Sequence, residues 1–81
     1  MKTKIAIKRG QCLKTLRKGR CLSQRQLAKK CRISPKLLQA YEQGVKDAGN
    51  MTVTTFTMLA KGLDVSMDDL ADILKILRSD S

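Results

Sequence analysis

Residues 24–43, QRQLAKKCRISPKLLQAYEQ, read as two short helices joined by a tight turn. Ser23 stands where an N-cap oxygen is needed and Gln26 follows three positions later, the spacing of a capping box, so a helix starts there and runs to Lys30 or Cys31. Ser34 and Pro35 mark a second start, because proline disfavours helical geometry in the residue before it and fits the first helical position itself. Gly44 suits the left-handed conformation that ends helices, which bounds the second helix at 35–43. Leu27, Cys31, Ile33, Leu38 and Tyr41 are spaced to face inward, with the small Ala28 where the helices cross. One face of the second helix is then left free for a partner.

Charge indicates the class of that partner. Residues 1–41 contain thirteen Lys and Arg and no Asp or Glu, whereas from Glu42 onward there are four basic and seven acidic residues, a split of +13 and −3. A compact basic half speeds encounter with polyanions, and each Lys or Arg that meets a phosphate releases a counterion. The plain alternative is that the charge only keeps the chain soluble. Two helices joined in this way form a helix-turn-helix, whose free second helix enters the major groove of DNA, so the motif and the charge point the same way.

Eighty-one residues allow one small domain with a single core. With Tyr41 and Phe56 as the only aromatic residues, that core must come from Leu, Ile, Val, Met and Ala, which suits packed helices. Cys12, Cys21 and Cys31 are odd in number and have no histidine to complete a zinc site. They read as reduced thiols of a cytoplasmic protein, with Cys12 and Cys31 partly buried. No apolar run is long enough to cross a bilayer, and MKTKIAIKRG lacks the apolar centre of an export signal. The expectation is a chain with no membrane role and no cofactor.

The remaining elements follow from spacing and caps. Residues 1–8 are an N-terminal arm or the ragged start of a helix. From Arg9, the spacing of Cys12, Leu13 and Leu16 predicts a first helix that ends near Lys18 at Gly19. VKDAGNM, residues 45–51, is a loop, and Val53, Phe56, Leu59, Ala60 and Leu63 form the apolar stripe of a fourth helix starting near Thr52 or Val53. Ser66 and Asp69 cap a fifth helix over 67–78, with Asp68 and Asp69 at its positive end and Lys75 and Arg78 at its negative end. This gives an all-α five-helix bundle spanning 9–78, with the two-helix motif at 24–43 and a tail at 79–81.

Three motifs, LRKGRCLSQRQLA, RISPKLLQAYEQG and MLAKGLDVSMDDL, together resemble the Cro/C1-type (XRE) helix-turn-helix transcriptional regulators over residues 10–70. The resemblance implies a lambda-repressor-like DNA-binding domain and a sequence-specific regulator of transcription that binds double-stranded operator DNA, with repression as the default mode. It makes Ser34, Pro35, Lys36 and Gln39 the candidates for base readout. Lys36 either donates to guanine O6 and N7 or holds a phosphate; Gln39 can pair with adenine N6 and N7; Pro35 offers only apolar contact. Gln24, at the start of the second helix, matches a glutamine that touches the phosphate backbone and buttresses the reading helix, and Ser23 caps that second helix with or without a phosphate role. Arg25, Lys18, Arg20, Lys29 and Lys46 complete the candidate phosphate set. Arg17 and Glu42 match a structural ion pair of the family.

Two departures from that pattern stand out. Arg32 occupies the turn position where the family usually has glycine, and the loop in YEQGVKDAGN is long. A recognition helix this short reads few base pairs, so a homodimer is expected, and Leu70, Ile73, Leu74, Ile76 and Leu77 make helix 5 apolar over more than one face. Those residues form either the dimer surface or a cover for the core. The chain is not expected to be an enzyme: it has no histidine and no glycine-rich phosphate loop, and its carboxylates cluster at helix starts. The competing function is a protein-interaction module, such as an antitoxin or a bridging factor, that uses the same fold on a protein partner.

Overall fold

The computed structural model describes residues 3–74, which form five α-helices: α1 (Lys4–Gly19), α2 (Gln24–Cys31), α3 (Pro35–Gln43), α4 (Val53–Leu63) and α5 (Met67–Leu74). A single 3-10 turn, Ala48–Asn50, interrupts the loop between α3 and α4. Most starts are made by side-chain caps. Thr3, Ser23, Ser34 and Thr52 each accept a backbone N–H with the side-chain oxygen, and Asp69 N–H donates to Ser66 Oγ (3.0 Å). At Ser23 the capping box is complete, because the Ser23 N–H also donates to Gln26 Oε1 (2.8 Å).

The core is built from leucines of every helix. Leu13, Leu27, Leu38, Leu59, Leu63, Leu70 and Leu74 are fully buried together with Ala28 and Cys31, and Tyr41 lies among them. Two glycines place α1 against the end of α3. A methyl group on Gly10 would overlap the carbonyl oxygens of Tyr41 and Glu42, so the two backbones touch where only glycine fits. Gly44 ends α3 at φ 81°, a conformation costly for other residues, and lies directly against Ile7.

Several expectations need correction. Residues 4–8 belong to α1 and are not an arm, because Thr3 caps the helix and Ala6 is buried one turn before Gly10. Gly19 is the last helical residue; the left-handed turn that follows is taken by Cys21, at φ 58°. Arg32, at the turn position where the family usually has glycine, takes the left-handed conformation itself, φ 57°, with Ile33 N–H returning to the Ala28 carbonyl (3.0 Å). Val53 is 76% exposed and lies off the buried stripe of α4, which runs through Leu59, Ala60 and Leu63. Leu70 and Leu74, candidates for a dimer surface, are fully buried in the core; Ile73 is partly buried, while Ile76 and Leu77 lie outside the described residues, as do Lys75, Arg78 and the tail. Among the thiols, Cys31 is buried, Cys12 partly so, and Cys21 exposed.

One tie was not anticipated. Arg9 Nη1 forks onto both oxygens of Asp47 (2.9 and 3.0 Å), and Arg9 Nε donates to the carbonyl of Leu74 (3.0 Å). Asp47 in turn accepts the Gly49 N–H (2.8 Å), which caps the 3-10 turn. Burial opposes ionisation of Asp47, but the Gly49 N–H together with the hydrogen bond and charge of Arg9 outweighs it and holds the carboxyl below its ordinary value of 3.8. A carboxyl depressed by folding contributes stability above its unfolded pKa and loses it as pH falls through the lower folded value. Asp47→Asn should therefore destabilise the fold at neutral pH, by about 1.5–3 kcal/mol for hydrogen bonds to a charged group. Thermal melts should show the gap between variant and parent closing below pH 3.8. A gap that stays constant down to acid denaturation would contradict the pair.

Candidate nucleic-acid interface

The inner side of α3 is held by a buried charged pair. Arg17 Nε donates to Glu42 Oε2 (2.7 Å) and Arg17 Nη2 to Glu42 Oε1 (3.0 Å), with both residues only 6% exposed. The third guanidinium nitrogen, Nη1, donates to the Leu22 carbonyl (2.7 Å) in the loop between α1 and α2. Gln24, the first residue of α2, donates from Nε2 to the same Glu42 Oε1 (3.0 Å). One carboxylate thus gathers α1, the start of α2 and the end of α3. Among the described residues no buried side-chain nitrogen or oxygen is left without a partner, which is the condition under which a buried pair is tolerated.

The opposite side of α3 is open. Pro35, Lys36 and Gln39 are exposed, and so is Gln43, which lies one turn beyond Gln39 on the same stripe. Gln43 was missed by the sequence reading, although the i, i+4 spacing from Gln39 was available to find it. Ser34 precedes this stripe and is exposed; its hydroxyl oxygen accepts the Leu37 N–H (3.1 Å), so its role as a cap is visible and its hydrogen remains available to donate.

The candidate phosphate residues fall into two groups. Ser23, Arg25 and Lys29 are exposed on α2, with Gln24 half-buried at its start and its amide already turned to Glu42. Lys46 is exposed just past the end of α3, its N–H returning to the Ala40 carbonyl (3.2 Å), and Lys18 is exposed at the end of α1. Arg20 is exposed too, and its guanidinium reaches the Asp64 carbonyl (3.4 Å) at the end of α4. Arg25 and Lys29, four residues apart, share one face of α2.

Removing one member of a buried pair strands the other. Glu42→Ala leaves the Arg17 guanidinium and the Gln24 amide facing a void, and should cost about 3–5 kcal/mol of stability. Glu42→Gln, which keeps an acceptor, should cost less. Chemical denaturation of the two variants measures this; an unchanged midpoint for Glu42→Ala would contradict the structural role of the pair.

Comparison with known proteins agrees with this geometry. The helix-turn-helix family model matches residues 13–70. No curated protein matches the chain. Among solved structures, the restriction-modification controller protein C.AhdI from Aeromonas hydrophila superposes with a TM-score of 0.72 at 29% identity, covering 80% of this chain and 94% of its own. The clp gene regulator ClgR from C. glutamicum superposes with a TM-score of 0.72 at 22% identity, covering 91% of this chain and 92% of its own, a likeness of fold. With a match that runs from the middle of α1 into α5 and takes in both helices of the motif, the chain belongs to the helix-turn-helix family of Cro/C1 (XRE) type.

Proposed function

We propose that this chain regulates transcription in the cytoplasm by occupying duplex operator DNA as a homodimer, most simply as a repressor. The observation that carries the reading is the two-sidedness of α3: its inner side is bound through Glu42 to Arg17 and Gln24, and its outer side presents the exposed Lys36, Gln39 and Gln43. A rigidly seated helix with an exposed polar stripe is what direct readout of base edges requires. Ser23, Gln24, Arg25, Lys18, Lys29 and Lys46 serve as phosphate contacts around it, while Arg20 contributes at the margin. The likeness to a restriction-modification controller protein supports a regulatory role.

Leu70 and Leu74 belong to the core, so the pairing surface is assigned elsewhere. Exposed Val53 and Met67, with partly buried Met51 and Phe56, form an apolar face where α4 and α5 meet the 3-10 turn. Pairing there joins the acidic halves of two chains and leaves both basic halves outward for phosphate. A twofold arrangement of this kind also doubles the number of base pairs read.

Selection of bound duplexes from a random-sequence pool at about 0.15 M salt, where nonspecific binding is already weakened, tests the reading. Enrichment of an inverted repeat is expected. Lys36→Ala and Gln39→Ala should each weaken binding to the enriched sequence by about 1–3 kcal/mol and relax preference at separate positions. Retention that fades smoothly with salt, with nothing enriched, would overturn sequence-specific regulation and move the function to a protein partner.

A further inference from the structure

The 3-10 turn contributes to the face assigned to pairing: Ala48 and Gly49, with Met51 just after the turn, line it together with Val53, Phe56 and Met67. Its position is coupled to the reading helix by a short set of contacts that begin on one turn of α1. Gly10 rests on the carbonyls of Tyr41 and Glu42 in α3, and its neighbour Arg9 grips Asp47 with a fork of hydrogen bonds (2.9 and 3.0 Å) while holding the Leu74 carbonyl of α5 (3.0 Å). Asp47 passes the constraint to the turn through the Gly49 N–H (2.8 Å). Ala48, fully buried, anchors the same turn in the core. Both partners of the ion pair are sheltered, with side chains 15% and 25% exposed, and the guanidinium is held at two points, by Nη1 on the carboxylate and by Nε on the Leu74 carbonyl, which limits its orientation as well as its distance.

We infer that the Arg9–Asp47 ion pair is a positioning device that sets the separation of the two reading helices in the dimer, and through it the half-site spacing of the operator. The inference rests on the pairing reading above. Neither residue lies on the outer stripe of α3, so the pair acts through the geometry of the pairing face and not through a contact with bases. One added base pair shifts a half-site by about 3.4 Å along the duplex and turns it by about 35°, which a rigidly paired dimer cannot follow.

The test compares affinity for the enriched inverted repeat with affinity for versions carrying one base pair more or fewer at the centre. Wild-type affinity should fall at least about tenfold on either change, because simultaneous engagement of both half-sites is lost. In Asp47→Asn, which keeps the side-chain shape, and in Arg9→Gln, which removes the charge of the other partner, the fall should be about threefold or less. Taking the ratio for each protein cancels any general gain or loss of affinity from the changed charge. Circular dichroism identifies which variant is folded at the assay temperature, and two variants are used so that either one decides. A folded variant that keeps the full wild-type penalty overturns the inference while leaving dimeric operator binding intact. A wild-type chain that enriches no inverted repeat overturns the pairing reading and this inference with it.

Discussion

A guanidinium and a carboxylate buried together must satisfy nearly all of their hydrogen-bonding capacity or the fold is destabilised by several kcal/mol, on the order of the whole stability of a small domain. Arg17 and Glu42 meet that condition in a way that leaves little freedom to the elements around them. Arg17 needs the Leu22 carbonyl as its third acceptor, which fixes the loop before α2, and Glu42 takes the Gln24 amide as its third donor, which fixes the start of α2 against the end of α3. The left-handed turn at Cys21 is held inside the same bracket, since Leu22 N–H also returns to the Arg17 carbonyl (3.3 Å). The orientation of the helix whose outer side is proposed to read DNA thus follows from an interaction on its inner side.

A second set of contacts is arranged around Arg9 and Gly10. These adjacent residues face different elements: glycine allows α1 to touch the α3 backbone, and arginine ties the long α3–α4 loop to the end of α5. The long loop is where this chain departs most from the family pattern, and the Arg9–Asp47 pair is the local means by which that loop is given a defined position. Acidic residues are absent from the first half of the chain and are used in the second half as partners and caps, which leaves the cations of α2 and the flanks of α3 in solvent.

What the sequence made legible was mainly local. Ser23 with Gln26, Ser34 with Pro35, and Gly44 each act on backbone groups within a few residues, so the boundaries of α2 and α3 could be read directly, whereas the turn at Arg32 stood out only through the family resemblance. The Arg17–Glu42 pair was legible only through the family resemblance, since nothing in composition singles out one arginine among so many. Arg9–Asp47 joins residues 38 positions apart and carries no periodic signature, so it was not foreseen. Helix 5 is apolar over more than one face, and periodicity alone does not say which face meets the core; the structure buries Leu70 and Leu74 and leaves Met67 exposed. Val53 misled for a similar reason, standing at the first turn of α4 where the helix has not yet reached the core. For the candidate interface, charge and motif identified α3 and its neighbours, while the engagement of Gln24 by Glu42 and of Arg20 by the end of α4 needed coordinates.

The central claim is that α3 meets DNA with the side opposite Glu42. The most direct measurement is a titration of isotopically labelled protein with the enriched duplex, followed by amide chemical shifts. The account predicts that the largest changes fall on Ser34–Gln43 and on Ser23–Arg25 and are much smaller with a scrambled duplex. Changes centred on α5 and the adjoining face of α1, with the amides of α3 unmoved, would contradict it.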